Sequence, residues 1–170
     1  MYALTATLLT LLHCGNYATA TTQFAELVAL TDEKGALFWK NLAMIPQGGV
    51  LALTGKASNA IHMITASRST GSTLWLPVSL SYLAKAYAEL GEINDARRCI
   101  GEAMTAIETT NERMWEADVH RIAGEIALRS PEPDVAKAQV YFERALAIAR
   151  EQQAKSWELR AAMSMARLWR

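Results

Sequence analysis

Apolar residues recur along this chain at the spacing of one helical face, and glycine, proline or short polar clusters interrupt the runs. Leu80, Leu83, Ala84 and Tyr87 stand at i, i+3, i+4 and i+7, and Ala96, Ile100, Ala103 and Ile107 repeat the pattern after Gly91. The same pattern gives His120, Ala123, Gly124 and Ala127, followed by Ala138, Phe142 and Ala145. The pattern predicts helices over 2–13, 17–30, 36–54, 57–70, 73–90, 93–109, 112–129 and 134–152, with a last helix from about 156. Pro77 suits the first turn of its helix, where a missing N–H removes no intrahelical bond. Gly91 suits the residue just past a helix end, and Asn94 or Asp95 the start of the next helix. Pro46 falls inside the 36–54 segment and is expected to kink or break it. Ser130-Pro131-Glu132-Pro133-Asp134 predicts a rigid loop.

The helices come in similar pairs. Trp39, Trp75, Trp115 and Trp157 lie 36, 40 and 42 residues apart, and each is followed nine residues later by a small residue: Gly48, Ala84, Gly124 and Ala166. In two cases a glycine follows (Gly55, Gly91) and then an alanine (Ala60, Ala96); Gly15 and Ala20 repeat that last step near the start of the chain. A period in this range marks stacked helix pairs. The repeats are expected at 1–33, 34–71, 72–110 and 111–153, with a half repeat at 154–170, all in one helical-repeat domain. One tryptophan per repeat at a fixed position predicts a packing residue between neighbouring helices.

The small-x-x-Tyr-x-x-x-Gly-x-x-x-x-Ala spacing of Ala84, Tyr87, Gly91 and Ala96, continued by Ile100 and Ala103, resembles the tetratricopeptide repeat. Glu108 stands where that family carries a proline, and the repeats here are longer than its usual length of about 34 residues. The resemblance implies an all-α, right-handed superhelical solenoid of antiparallel helix pairs whose first helices line a concave face. By register, the exposed positions of that face are expected to be Leu42, Ile45 and Gly49, then Val78, Ser81, Lys85 and Glu89, then Asp118, Arg121, Glu125 and Arg129. Such a groove, apolar at one end and mixed in charge at the other, suits a peptide or helix from a protein partner. Met163, Met165, Leu168 and Trp169 are expected to lack a following helix, which suggests a longer array or self-association through uncapped ends.

Three further segments, Leu74-Trp75-Leu76-Pro77, Glu112-Arg113-Met114-Trp115-Glu116-Ala117-Asp118-Val119-His120-Arg121 and Ala154-Lys155-Ser156-Trp157-Glu158-Leu159-Arg160-Ala161-Ala162, together resemble the C-terminal repeat region of large bacterial signalling proteins. Those proteins carry an AAA-like ATPase module, often preceded by a class III adenylate/guanylate cyclase domain or a transcriptional regulator domain. The resemblance implies signal transduction through a protein-binding or regulatory scaffold, or through contact with other domains of a parent chain. It places the chemistry in modules other than this one.

Composition narrows the classes further. Of 170 residues, 51% are hydrophobic, enough for a continuous core, and 17 Lys and Arg balance 17 Asp and Glu. A nucleic-acid partner calls for a basic excess, and a membrane span for about 20 consecutive apolar residues; the sequence offers neither. The apolar run Leu4 to Leu12 has no Lys or Arg before it, so it reads as the first helix of the array rather than as a signal sequence. Cys14 and Cys99 lack zinc-ligand spacing and read as small buried hydrophobes in a reducing, cytoplasmic setting. Gly49 to Ala57 fails as a phosphate loop: it has one residue too many between its glycines and an alanine where magnesium needs a hydroxyl. Glu116 and His120, at i and i+4, are the one pair that would suit a small enzyme or a metal site, and they suit a helix-stabilising contact equally well. No catalytic residue, cofactor or metal site is expected. The remaining alternative is a structural spacer without a ligand of its own.

Overall fold

The computed structural model describes every residue except Thr70 and Ser72, so the expected end of the fourth helix at residue 70 lies outside the described residues. The described residues form nine α-helices and one 3-10 turn, without a strand. The protein is therefore all-α. None of these helices is long and apolar enough to cross a membrane. The chain divides into two compact units, Met1–Leu74 and Trp75–Arg170.

The first unit holds α1 (Tyr2–His13), α2 (Tyr17–Glu33), α3 (Leu37–Leu53) and α4 (Ala57–Arg68). α1 packs on both α2 and α3, α2 packs on α3, and α3 packs on α4. Leu8, Leu12 and Leu27 are fully buried, which makes α1 an integral part of this core. Gly15, Gly35 and Gly55 each take a positive φ just past a helix end, a conformation that costs other residues more. Pro46 does not break α3, which runs without interruption through it. Its ring is buried, and one turn earlier the buried Ser67 hydroxyl of α4 donates to the Asn41 carbonyl at 2.7 Å, tying the two helices together beside the missing donor. The segment compared with a phosphate loop is the end of α3 and the turn at Gly55.

The second unit holds α5 (Leu76–Glu89), α6 (Ile93–Thr110), the 3-10 turn Arg113–Trp115, α7 (Glu116–Arg129), α8 (Val135–Glu151) and α9 (Lys155–Leu168). α5 pairs with α6 and α7 with α8. α7 also packs on α5, α6 and α9, and α9 packs on α8. α5 and α7 thus each touch their own second helix, and α7 also touches the first helices on either side, α5 and α9. The apolar stripes read from sequence form the seams: Leu80, Leu83 and Ala84 on α5, Ala96, Ile100 and Ala103 on α6, and Ala138, Phe142 and Ala145 on α8 are all buried. α5 begins later than residue 73, because Trp75 takes φ +60° and cannot belong to a right-handed helix. The Trp75 N–H donates to Glu112 Oε1 at 3.3 Å. α6 begins at Ile93, ahead of Asn94, because Gly91 at φ +81° turns the chain so that the Glu92 N–H reaches the Tyr87 carbonyl at 2.9 Å.

Two of the small residues that follow the tryptophans, Gly48 and Gly124, mark close approaches within pairs. A Cβ on Gly124 would sit 2.5 Å from Cε1 of Phe142, and a Cβ on Gly48 would overlap Cγ1 of Ile64. The tryptophans themselves sit at or just before the starts of first helices. Trp39 meets the Tyr2 ring edge-on with centroids 6.0 Å apart, and Trp115, buried, meets Trp157 at 6.4 Å.

Candidate functional site

Of the positions expected to be exposed, Leu42, Ile45, Gly49, Val78, Ser81, Asp118 and Arg121 are buried. This corrects the expectation of an open groove at those residues. In the second unit the reason is that α5, α7 and α9 lie side by side, so positions read as groove-lining fall in the seams between them. The charged ones are accommodated by pairing. Arg121 donates from Nε to Asp118 Oδ1 at 2.7 Å and from Nη1 to Glu125 Oε1 at 2.6 Å. Burial works against the charge on Arg121, yet the two carboxylates outweigh it and hold its pKa above the usual guanidinium value.

Glu125 joins three helices. Besides Arg121 it meets Lys85 Nζ of α5 at 3.5 Å and accepts from Ser164 Oγ of α9 at 3.4 Å. One turn on, Arg129 lies 3.6 Å from Glu89 of α5. Lys85 and Glu125, and likewise Glu89 and Arg129, are 40 residues apart, the spacing of Trp75 and Trp115. The repeat register therefore places opposite charges against each other across the α5–α7 seam. Lys85 and Glu125 are half-buried, while Glu89 and Arg129 are exposed.

Glu116 and His120 do not form a joint site. Glu116 Oε2 accepts from Arg113 Nε at 2.9 Å, and its other oxygen lies 4.0 Å from Arg144. The His120 ring faces that of Tyr141 at 6.0 Å, and its Nδ1 is buried without a hydrogen-bond partner. Burial is the main reason its pKa is pulled below the ordinary imidazole value; Glu116 opposes the shift and Arg144 adds to it. Among the described residues no group of three His, Cys, Asp or Glu side chains is placed to hold a metal ion. Neither cysteine forms a disulfide; Cys99 is buried, but Cys14 is exposed in the turn after α1, contrary to the expectation of a buried residue.

The surface that sequence reading only half found is on α9. Leu159, Ala162, Ala166 and Trp169 stand 42 residues after Ala117, His120, Gly124 and Ala127 of α7. On α7 this row faces α8: Ala117 packs with Ile148 and Ala149, His120 with Tyr141, and Gly124 and Ala127 with Phe142. On α9 the same row is open, with Leu159 62% and Trp169 70% exposed, and Met163 beside it 48% exposed. Met165 and Leu168, expected to lack a following helix, pack against the Ala127, Ala138 and Phe142 cluster of the preceding pair. The equivalence was legible in the Trp157–Ala166 spacing; which side of α9 is covered was not. Compared with known proteins, the chain matches no family model and no curated protein.

Proposed function

We propose that this chain is a protein-binding module built of tetratricopeptide-like helix pairs, arranged as a right-handed solenoid. In this reading it acts as a regulatory scaffold like the C-terminal repeats of bacterial cyclase- or ATPase-type signalling proteins. Its setting is the cytoplasm and its partner is a protein rather than nucleic acid or membrane. The observation that carries this reading is the open row on α9. It repeats, position for position, a row that on α7 is covered by a second helix.

The occupant is an amphipathic helix of a partner protein or of another domain of a parent chain, patterned like α6 and α8: alanine, a large apolar residue four positions on, and alanine three beyond that. Ala96-Ile100-Ala103 and Ala138-Phe142-Ala145 are the templates. Ala162 and Ala166 are small and exposed, which keeps this part of the row open for the large central residue. Lys155, Arg160, Arg167 and Arg170 against the single Glu158 give this end a positive balance, so the partner helix carries acidic flanks.

The test is fluorescence anisotropy with a labelled peptide of the α8 pattern bearing glutamates on its flanks, run beside a lysine-flanked twin. Saturable binding of the acidic peptide, lost in Leu159→Asp and Met163→Glu, is the expected result. Equal binding of both peptides, or binding that survives both substitutions, would refute the docking face. Concentration-dependent dimers in light scattering, abolished by the same substitutions, would replace the partner helix with a second copy of the chain.

A further inference from the structure

α6 and α8 both pack on α7, and between them a cleft of about 190 Å³ opens onto the surface of the second unit. Ile100 and Ile126 form part of its apolar lining, and Arg97, Lys137 and Tyr141 bring its polar groups. This cleft is independent of the α9 row and of the reading built on it.

Gly101 borders this cleft and has no other reason to be glycine. It lies in the interior of α6, its φ is not positive, and a Cβ there would meet nothing within 4 Å. Glycine in a helix interior costs about 0.5–1 kcal/mol relative to alanine. Gly48 and Gly124 offset that cost by close helix contact; Gly101 makes no such contact and instead leaves one wall of the cleft hollow.

Two exposed cations stand at the cleft. Arg98, Arg113, Arg121 and Arg129 each have a carboxylate within 4 Å. Among the described residues Arg97 and Lys137 have none; the Arg97 guanidinium is instead steadied by the Ser130 hydroxyl, 3.0 Å from its Nη2. Two cations without counter-charges beside an apolar hollow form a complement to a molecule with an apolar tail and an anionic head.

We infer that the cleft between α6 and α8 binds an apolar chain ending in a carboxylate, its tail on Ile100 and Ile126 and its head between Arg97 and Lys137. A short fatty acid and an apolar C-terminal residue of a peptide share this chemistry.

Calorimetric titration with octanoate, with acetyl-Leu-Leu bearing a free C-terminus, and with octanol and the peptide amide as uncharged twins tests the inference. At least one carboxylate is expected to bind one-to-one, with its twin about tenfold weaker, the equivalent of about 1.4 kcal/mol. Which of the two binds identifies the natural source. Gly101→Leu, which fills the hollow at an open helix position, should abolish binding while leaving the helical circular dichroism and melting temperature at or above the parent's. Lys137→Glu should weaken binding by a similar factor at low salt. Failure of both carboxylates to bind, equal binding of the uncharged twins, or unchanged binding in Gly101→Leu would overturn the inference.

Discussion

Gly124 of α7 lies directly against the ring of the buried Phe142 of α8, with no space between them for a methyl group. The contact fixes how closely this helix pair can approach, and Gly48 against Ile64 does the same in the first unit. Replacing Gly124 by alanine would gain helix propensity but force the ring aside in a packed seam. The expected outcome of Gly124→Ala is a net loss of about 1–3 kcal/mol in chemical denaturation, typical of overpacking. Phe142→Leu in the same background should recover part of that loss; an unchanged midpoint for Gly124→Ala would show that the seam yields freely.

Arg121 is held by Asp118 and Glu125 in the seam of the first helices. Arg121→Met strands the buried Asp118 carboxylate, and a cost of about 3–5 kcal/mol is expected, as for other broken buried pairs. The double change Asp118→Ala with Arg121→Met should lie much closer to the parent than the single change does. Additive losses in a double-mutant cycle would mean that the pair is not coupled.

The Ser67 hydroxyl is the side-chain tie from α4 to the Asn41 carbonyl beside Pro46. Ser67→Ala removes the donor and leaves a part-buried acceptor, with an expected cost of about 1–2 kcal/mol. Exchange of amide hydrogens along 41–47 should accelerate in the variant relative to the rest of α3. A uniform change along the helix would argue against a local role.

His120 gives the pH dependence. Its folded pKa lies below the ordinary 6.5, chiefly through burial beside Tyr141, with Glu116 and Arg144 acting in opposite directions. The unfolded chain therefore binds the proton first as pH falls through 6.5, so stability declines in that window and levels off below the folded value. His120→Gln should flatten the melting-temperature profile as pH falls through the ordinary histidine range. A slope that persists in the variant would assign it to other groups.

Several helix ends were legible in the sequence because they carry their own local chemistry: the glycines 15, 55 and 91 at positive φ, Pro77 in a first turn, and the two-proline loop before α8. Gly48, Ala84 and Gly124, the small residues after the first three tryptophans, are buried as the spacing suggested, while Ala166 is exposed. The surface was less legible. Asp118 and Arg121 carry charges that a single sequence assigns to solvent, and only the packing of α5, α7 and α9 shows that they satisfy each other inside. Trp75 at φ +60° has no local signature, so the start of α5 was misplaced. Gly101 looks like any other glycine until the space around it is known.

The 40-residue register across the α5–α7 seam also limits how this chain can change length. Inserting or deleting one residue within α7 would rotate everything after it by about 100°. If the change fell before Glu125, both that carboxylate and Arg129 would swing away from Lys85 and Glu89 together. Loop residues such as 130–134 lie outside this constraint, and so does duplication of a complete helix pair. Length changes are therefore expected to be tolerated in such loops, while single-residue slips inside α7 should break both ion pairs at once.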